Sequence, residues 1–410
     1  MEKIVGKNNR SKRLRVGSLI LAGATLSAIL IAPVAGAANL SNSSFAVRAV
    51  NSQQTGVSAV KPGFKADPTA TPAPTSPPVT TPTPTPTAPE PVMSATTVAI
   101  TIDTSLPGCM ASPFDLEVTG ASNSISTDWG DQSTPTKVTG AGRFSHSYAP
   151  GKYSLTLDGK IQGLVRNSTA ASGSTNCILS VDHFGNSVGL KSLSGLLRNA
   201  QNVQHVVAPP STVTDLSGMF RGAKSYNEDL SGWNTANVTD FNNMFNGAAK
   251  FNGNVSNWNT ASVTASYLMF SGATSFNQDL SKWNVSKVVN FNRMFDGATA
   301  FNGDVSTWTL TSANYMTGMF EGATSFNQNI GSWSMNRVLN TNEMFQGATS
   351  FNSNISGWNT SLVTDMTNMF DGASSFKQNI SNWTVDRVTT WAPFSNGSGM
   401  TSAQKPAKFR

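Results

Sequence analysis

One period organises this chain. Met-Phe recurs at Met219-Phe220, Met244-Phe245, Met269-Phe270, Met294-Phe295, Met319-Phe320, Met344-Phe345 and Met369-Phe370, each step 25 residues with no insertion. Trp233, Trp258, Trp283, Trp308, Trp333, Trp358 and Trp383 keep the same spacing. So do Gly222-Ala223 through Gly372-Ala373, and Phe251 through Phe376 with Tyr226 in the first slot. One such unit is too small to bury its own Trp and Phe, so the seven repeats of residues 213–387 must stack and cover one another.

Within a repeat, Val213, Leu216, Met219, Phe220 and Ala223 fall at i, i+3, i+6, i+7 and i+10. That spacing predicts one face of a short helix that ends near Gly222, with Thr235 or Asn237 capping the next one. Asp229-Leu230-Ser231-Gly232-Trp233 is short enough for a strand. The expected fold is therefore an α/β solenoid, leucine-rich-repeat-like, with one short helix and one short strand per 25-residue coil. Asn252, Asn277, Asn302, Asn327 and Asn352 follow the Phe column and suit a hydrogen-bonded ladder between coils, which Lys377 interrupts. Ser194-Gly195-Leu196-Leu197-Arg198-Asn199-Ala200 echoes Ser217 to Ala223 at an offset of 23, marking 178–212 as an N-terminal capping coil. Residues 388–410 form a C-terminal partial repeat and tail, with Phe394 in the Met column and Pro393 before it.

Upstream, residues 1–37 have the parts of a secretory signal. A basic stretch ends at Arg15, an apolar run follows from Val16 to Val34, and Ala35-Gly36-Ala37 supplies small residues for cleavage. An uncleaved N-terminal anchor is the alternative, and both place the rest of the chain outside the cytoplasm. The leader holds six basic residues against Glu2, which leaves the remaining chain at +1 of the overall +6. The basicity belongs to the leader, so no electrostatic case for nucleic acid survives. Residues 38–93 read as a disordered, Thr/Pro-rich linker, with Thr81-Pro82-Thr83-Pro84-Thr85-Pro86 at its centre. Charged residues are only 12% of the chain, about half the usual share in a soluble globular protein.

Residues 94–177 alternate apolar and polar positions, as in Thr97-Val98-Ala99-Ile100-Thr101-Ile102 and Tyr153-Ser154-Leu155-Thr156-Leu157, and predict a small all-β sandwich. Asp128-Trp129-Gly130-Asp131 and His146-Ser147-Tyr148-Ala149-Pro150-Gly151-Lys152-Tyr153 resemble the polycystic-kidney-disease (PKD) type of immunoglobulin-like domain. Gln132 departs from that family's pattern, which has a second Gly there. The resemblance implies a spacer or a weak carbohydrate- or protein-binding module. Asp128 and Asp131 suit a cation, or a turn whose carboxylates bond local amides; His146 suits a packed residue better than a metal ligand. Cys109 and Cys177 are the only cysteines. In an exported chain a disulfide between them is expected, two free thiols being the alternative.

Val363-Thr364-Asp365-Met366-Thr367-Asn368-Met369-Phe370-Asp371-Gly372-Ala373, followed by Phe376, Ile380 and Trp383, is similar to the 25-residue repeats of BspA-like bacterial surface proteins, also seen in mycoplasma surface lipoproteins. The resemblance spans about 200 residues and implies cell-surface display and binding to host or neighbouring-cell ligands. No Cys sits at the expected cleavage point to carry the family's lipid anchor.

Columns that recur are core; ligand contacts belong where the repeats differ. The residue before Trp runs Gly232, Asn257, Lys282, Thr307, Ser332, Gly357, Asn382, and this strand-side column is the expected ligand-binding face. The residue after Met-Phe runs Arg221, Asn246, Ser271, Asp296, Glu321, Gln346, Asp371. No catalytic grouping, phosphate loop or metal spacing recurs, so neither an enzyme nor a cofactor is expected. The expected partner is a host or neighbouring-cell surface protein or glycan, with the membrane met only through the N-terminal segment. A surface-coat or stalk component that self-associates is the alternative.

Overall fold

The computed structural model describes Ser94 and residues 96–109, 113–121, 124–166, 174–185 and 189–410. The expected leader (1–37) and linker (38–93) lie outside the described residues. Alternating apolar residues form short strands in the first part. They are β1 (Thr97–Asp103), β2 (Phe114–Thr119), β3 (Ser124–Asp128), β4 (Thr136–Thr139), β5 (Gly142–His146), β6 (Lys152–Asp158), β7 (Gly163–Val165), β8 (Ile178–His183) and β9 (His205–Val206). One sheet has the order β4-β3-β6-β1-β8-β9 and the other β5-β2-β7. All pairings are antiparallel except β8 with β9. Val98, Ile100, Leu155 and Ile178 of the larger sheet share one core with Phe114, Leu116, Phe144 and Leu164 of the smaller. Trp129 is fully buried there, its Nε1 donating to Thr136 Oγ1 at 2.9 Å while its carbonyl accepts Tyr148 OH at 3.0 Å. Cys109 and Cys177 are disulfide-bonded, Cα atoms 4.8 Å apart across a separation of 68 residues. A loop of that length contributes about 4 kcal/mol by the chain-entropy relation.

β8 lies beyond residue 177, so the larger sheet runs into the segment expected to be the capping coil. The smaller sheet also continues into the repeats. Gly163 of β7 bridges in parallel to Ser192, Ser192 to Asp215, and the row proceeds through Asp240, Ala265, Asn290, Tyr315, Asn340 and Asp365 to Thr390. One core cluster runs from Val98 to Phe409.

The expected α/β solenoid is not what forms. Among the described residues there is no α-helix, only 3-10 turns at Ser174–Cys177, Ser402–Gln404 and Ala407–Phe409. Nor does a 25-residue repeat contain a strand: each gives one isolated bridge, and the rest is turn and irregular backbone. The backbone explains the difference. Leu216, Gly218, Phe220 and Gly222 donate their amides to Asp240, Asn242, Met244 and Asn246 of the next coil, at 2.7–3.1 Å. The intervening Met219, Arg221 and Ala223 donate to Leu216, Gly218 and Phe220 of their own coil, at 3.0–3.2 Å. Half the amides thus face the neighbour and half close three-residue turns. Gly218 (φ +61) and Gly222 (φ +71) are left-handed, which no α-helix accommodates. Val213, Leu216, Met219, Phe220 and Ala223 are all buried, because successive turns repeat the same i, i+3 spacing as a helical face.

The other expected elements dissolve in the same way. Thr235 caps nothing: its Oγ1 donates to Asn259 O of the next coil at 3.0 Å, and Asn237 Nδ2 donates to Ser211 O at 2.8 Å. At Asp229 the expected strand is an Asx turn, Ser231 N to Asp229 Oδ1 at 2.8 Å. The second repeat makes three such turns, at Asp240, Asn254 and Asn259. Short polar side chains therefore supply the bonds that a helix would have supplied, which accounts for an Asn-rich, charge-poor composition.

Aromatic rows fill the interior. Phe220, Phe245 and Phe270 stack at 5.5 Å, nearly parallel, and Tyr226, Phe251 and Phe276 at 6.0–6.2 Å. The Asn column does form a ladder: Asn227 Oδ1 accepts Asn252 N, and the relay runs through Asn277, Asn302, Asn327 and Asn352 to Lys377 N. Lys377 has no oxygen to pass on. The left-handed glycine row lets coils approach closely, since a Cβ on Gly272 would stand 3.4 Å from Gly247 Cα. At the far end Phe409 packs on Trp391 and Phe394, at 5.4 and 4.8 Å between ring centroids. Gln404 Nε2 and Lys408 Nζ bond the Lys377 and Val388 carbonyls.

Candidate binding face

The residues before each Trp are exposed in all seven repeats and form one row. Several are held by the preceding coil: Lys282 Nζ donates to Asn257 Oδ1 at 2.9 Å, Ser332 Oγ to Ser306 O at 3.2 Å, and Asn382 Nδ2 to Ser356 O at 3.1 Å. Thr307 Oγ1 bonds Ser281 O. The parallel ladder passes elsewhere, through Asp215 to Thr390. A strand-side position therefore no longer distinguishes Gly232, Asn257 and Gly357 or their column-mates.

The ladder face carries the residues that stand out. Its columns are polar in most coils: Ser217, Asn242, Asn292, Thr317, Asn342 and Thr367 in one, Asp215, Asp240, Asn290, Asn340 and Asp365 in another. Tyr267 and Tyr315 break that pattern. Together with Val289 they are the exposed large hydrophobics among the described residues, at 36, 42 and 39%. Tyr267 and Tyr315 sit two coils apart, about 10 Å at the usual strand spacing. Tyr267 is fixed in register, its amide donating to Asn242 Oδ1 at 2.8 Å, and the Tyr315 backbone bridges Asn290 and Asn340.

Between the two tyrosines lies Arg293, with φ +55. Its guanidinium bonds Asp296 at 3.3 Å, Glu343 at 2.5 Å and Glu321. Burial works against the Arg293 charge, but Glu321, Asp296 and Glu343 outweigh it and raise its pKa. Burial raises Glu321 above the ordinary carboxylate range, with Arg293 opposing. The residues after Met-Phe, from Arg221 to Asp371, are half-buried beside this ladder. The variable column after Met-Phe is legible in the sequence; the patch shows there only as single aromatic departures from polar columns.

In the sandwich, Asp128 Oδ1 and Asp131 Oδ1 accept Gly130 N and Ser133 N at 2.9 and 3.0 Å, making local turns. His146 Nε2 lies 2.6 Å from Asp131 Oδ2, and its ring stacks on Trp129 at 4.8 Å. Among the described residues no three His, Cys, Asp or Glu side chains converge as metal ligands, and no helix is long and apolar enough to cross a membrane.

A family described as "Mycoplasma protein of unknown function, DUF285" matches residues 191–308, 254–355 and 292–404 in three overlapping stretches. No curated protein and no solved structure matches the chain. The matched residues coincide with the ladder of turn-built coils and cover just over half of the 410 residues, and the chain belongs to the DUF285 family.

Proposed function

We propose that this protein is exported to the cell surface and that its repeat stack presents a face for adhesion, to a protein or glycan on a host or neighbouring cell, without enzymatic activity. The observation that carries the reading is the exposed trio Tyr267, Val289 and Tyr315 on a backbone held by ladder bonds. Tyr and Arg concentrate binding energy at interfaces, and a rigid support spares the ordering cost on association. The likeness of the repeats to BspA-like surface proteins, and of the sandwich to a PKD-like module, supports the same assignment.

Self-association into a coat is the competing reading. The ladder starts on β7 of the sandwich at one end, and at the other the tail around Phe409 covers Trp391 and Phe394. Both ends are occupied, which favours presentation of the side face over end-to-end growth. The test labels the full chain and measures its binding to cells and matrix surfaces, beside Tyr267→Asn and Tyr315→Asn. Each substitution borrows a residue from the same column, so folding is preserved. Saturable binding that falls at least tenfold in the double variant is expected. Absence of binding, together with discrete oligomers, would favour the coat.

A further inference from the structure

The ladder face has a bare stretch at its sandwich end. In the column before Met-Phe most coils carry a side chain, namely Asn243, Leu268, Arg293, Glu343 and Asn368. The two coils nearest the sandwich carry Gly195 and Gly218, both left-handed at φ +65 and +61. At Gly195 a Cβ would come within 2.8 Å of the Arg166 carbonyl, so nothing larger fits where Arg166 N bonds Ser194 O. Gly218 is different, because a Cβ there would stay 4.0 Å from its neighbours. With neither side chain present, a depression of about 160 Å³ opens between Arg198 and Arg221, rimmed by Ser194, Ser217, Asn242 and Asn243.

The charge around it is unbalanced. Arg166, on the inner wall, is engaged: it is 8% exposed and bonds Asp115 at 2.8 Å. The other Asp115 oxygen takes Arg143 at 3.4 Å. Arg198 and Arg221 meet no carboxylate among the described residues, so of the three arginines that line the depression two remain unpaired, while Asp215 and Asp240 stand outside the lining and accept the backbone amides of Ser217 and Asn242 on the rim. Ser194 Oγ and Ser217 Oγ lie 2.9 Å apart, and only one of them spends its proton on the other. The depression thus offers two guanidinium forks, a free hydroxyl donor and two amides in a space the size of one sugar ring. Planar forks of this kind match a carboxylate or sulfate.

Tyr267 stands one coil beyond, fixed to the rim by its amide bond to Asn242. Farther along the same face the sign reverses, with Glu321, Glu343 and Asp296 around Arg293 and Asp371 after them. A long polyanion laid on this face meets repulsion three coils on; a ligand with one acidic group at its end does not.

We propose that the depression between Arg198 and Arg221 binds the single carboxylate or sulfate of a terminal acidic sugar, whose ring rests on Tyr267. The inference deepens the adhesive reading by naming the chemistry that the face selects.

Calorimetric titration of the full chain tests it, with glucuronate-, sialate- and sulfate-terminated oligosaccharides, their neutral parents, heparin, and an oligoglutamate peptide. The variants are Gly218→Asn, which fills the floor with the residue of the next coil, and Arg221→Asn, which borrows from Asn246. Acidic sugars should bind at least tenfold more tightly than the neutral parents, and each variant should lose at least tenfold with its thermal unfolding unchanged. The carboxylate and sulfate arms decide which acid is preferred. Equal affinity for a neutral parent, unaltered affinity in either variant, or tighter binding of heparin or the peptide would overturn the proposal. Cell binding lost in Tyr315→Asn while acidic sugars have no effect would remove this site and leave the adhesive face standing.

Discussion

The indole Nε1 of Trp258 donates to the carbonyl of Leu230, 2.9 Å away in the preceding coil, and that same carbonyl accepts the Trp233 amide at 3.0 Å. One oxygen therefore closes a turn within its own coil and fastens the next coil to it. The arrangement recurs from Trp283 to Val255, Trp308 to Leu280, Trp333 to Val305, Trp358 to Ile330 and Trp383 to Ile355, at 2.9–3.2 Å. Trp is thus kept for its nitrogen as well as its size. Trp308→Phe keeps an aromatic ring in the stack but removes the donor to Leu280. The expected cost is about 1–3 kcal/mol from the lost bond and the incompletely refilled space, read as a lower denaturation midpoint. Unchanged stability would mean that the indole bond contributes nothing between coils.

Backbone sign separates two other substitutions. Leu268 has φ +56 in a column that elsewhere holds Gly218, Asn243, Arg293, Gly318, Glu343 and Asn368. A γ-branched residue in the left-handed region costs about 1–2 kcal/mol. Leu268→Asn relieves that strain, since Asn tolerates the region, but gives up the contacts of a half-buried Leu, so the net gain should be less than about 1 kcal/mol. Gly272→Ala should do the opposite by about 1–2 kcal/mol, because φ is +69 and the new methyl meets Gly247 at 3.4 Å. Paired thermal melts check both signs.

How far these properties were legible in the sequence depends on what periodicity can encode. The Trp, Met-Phe and Gly columns announced stacking and the buried positions, and Val213, Leu216, Met219, Phe220 and Ala223 are indeed core. They did not announce the backbone. An i, i+3 pattern is common to a helix and to consecutive turns, and what decides between them is where each amide donates. The deciding clue was Gly at two positions, 218 and 222, inside one supposed helix, where a single terminal Gly would have sufficed. The candidate site was less legible. Columns of variable residues point to whole faces, but Tyr267 and Tyr315 differ from their columns one residue at a time, and Gly195 and Gly218 matter through side chains they lack.

Acid should loosen the sandwich at the start of β1. Asp158 accepts Thr96 Oγ1 at 2.5 Å and Ser94 Oγ at 2.9 Å, and these hydroxyls, Thr96 foremost, hold its carboxyl below the usual 3.8. The folded state therefore takes up this proton less readily than the unfolded chain. Its stabilising effect is complete above the unfolded value near 3.8 and is lost as pH falls through the lowered folded value. Asp158→Asn should show a flatter decline of stability below about pH 4, with a constant deficit from the wild type above pH 5. A deficit that grew on acidification would contradict the assignment.

The far end of the ladder is closed chemically as well as sterically. In each coil the residue before Met-Phe sends its amide to the next coil, as Gly318 does to Asn342 and Glu343 to Thr367. Pro393 occupies that position in the last coil and accepts Asn368 N through its carbonyl at 2.8 Å, yet has no N–H to offer onward. An open ladder edge invites pairing with another copy, and Pro with a covering segment removes the invitation. Pro393→Asn restores the donor found at Asn368, and ending the chain at Met400 removes Phe409 from Trp391 and Phe394. Either change alone should leave the protein monomeric in light scattering. Together they expose both apolar surface and an unpaired amide, and concentration-dependent dimers should appear at micromolar protein. Monomers at every concentration would show that the edge was never competent to pair, and that the tail serves only the stability of the last coil.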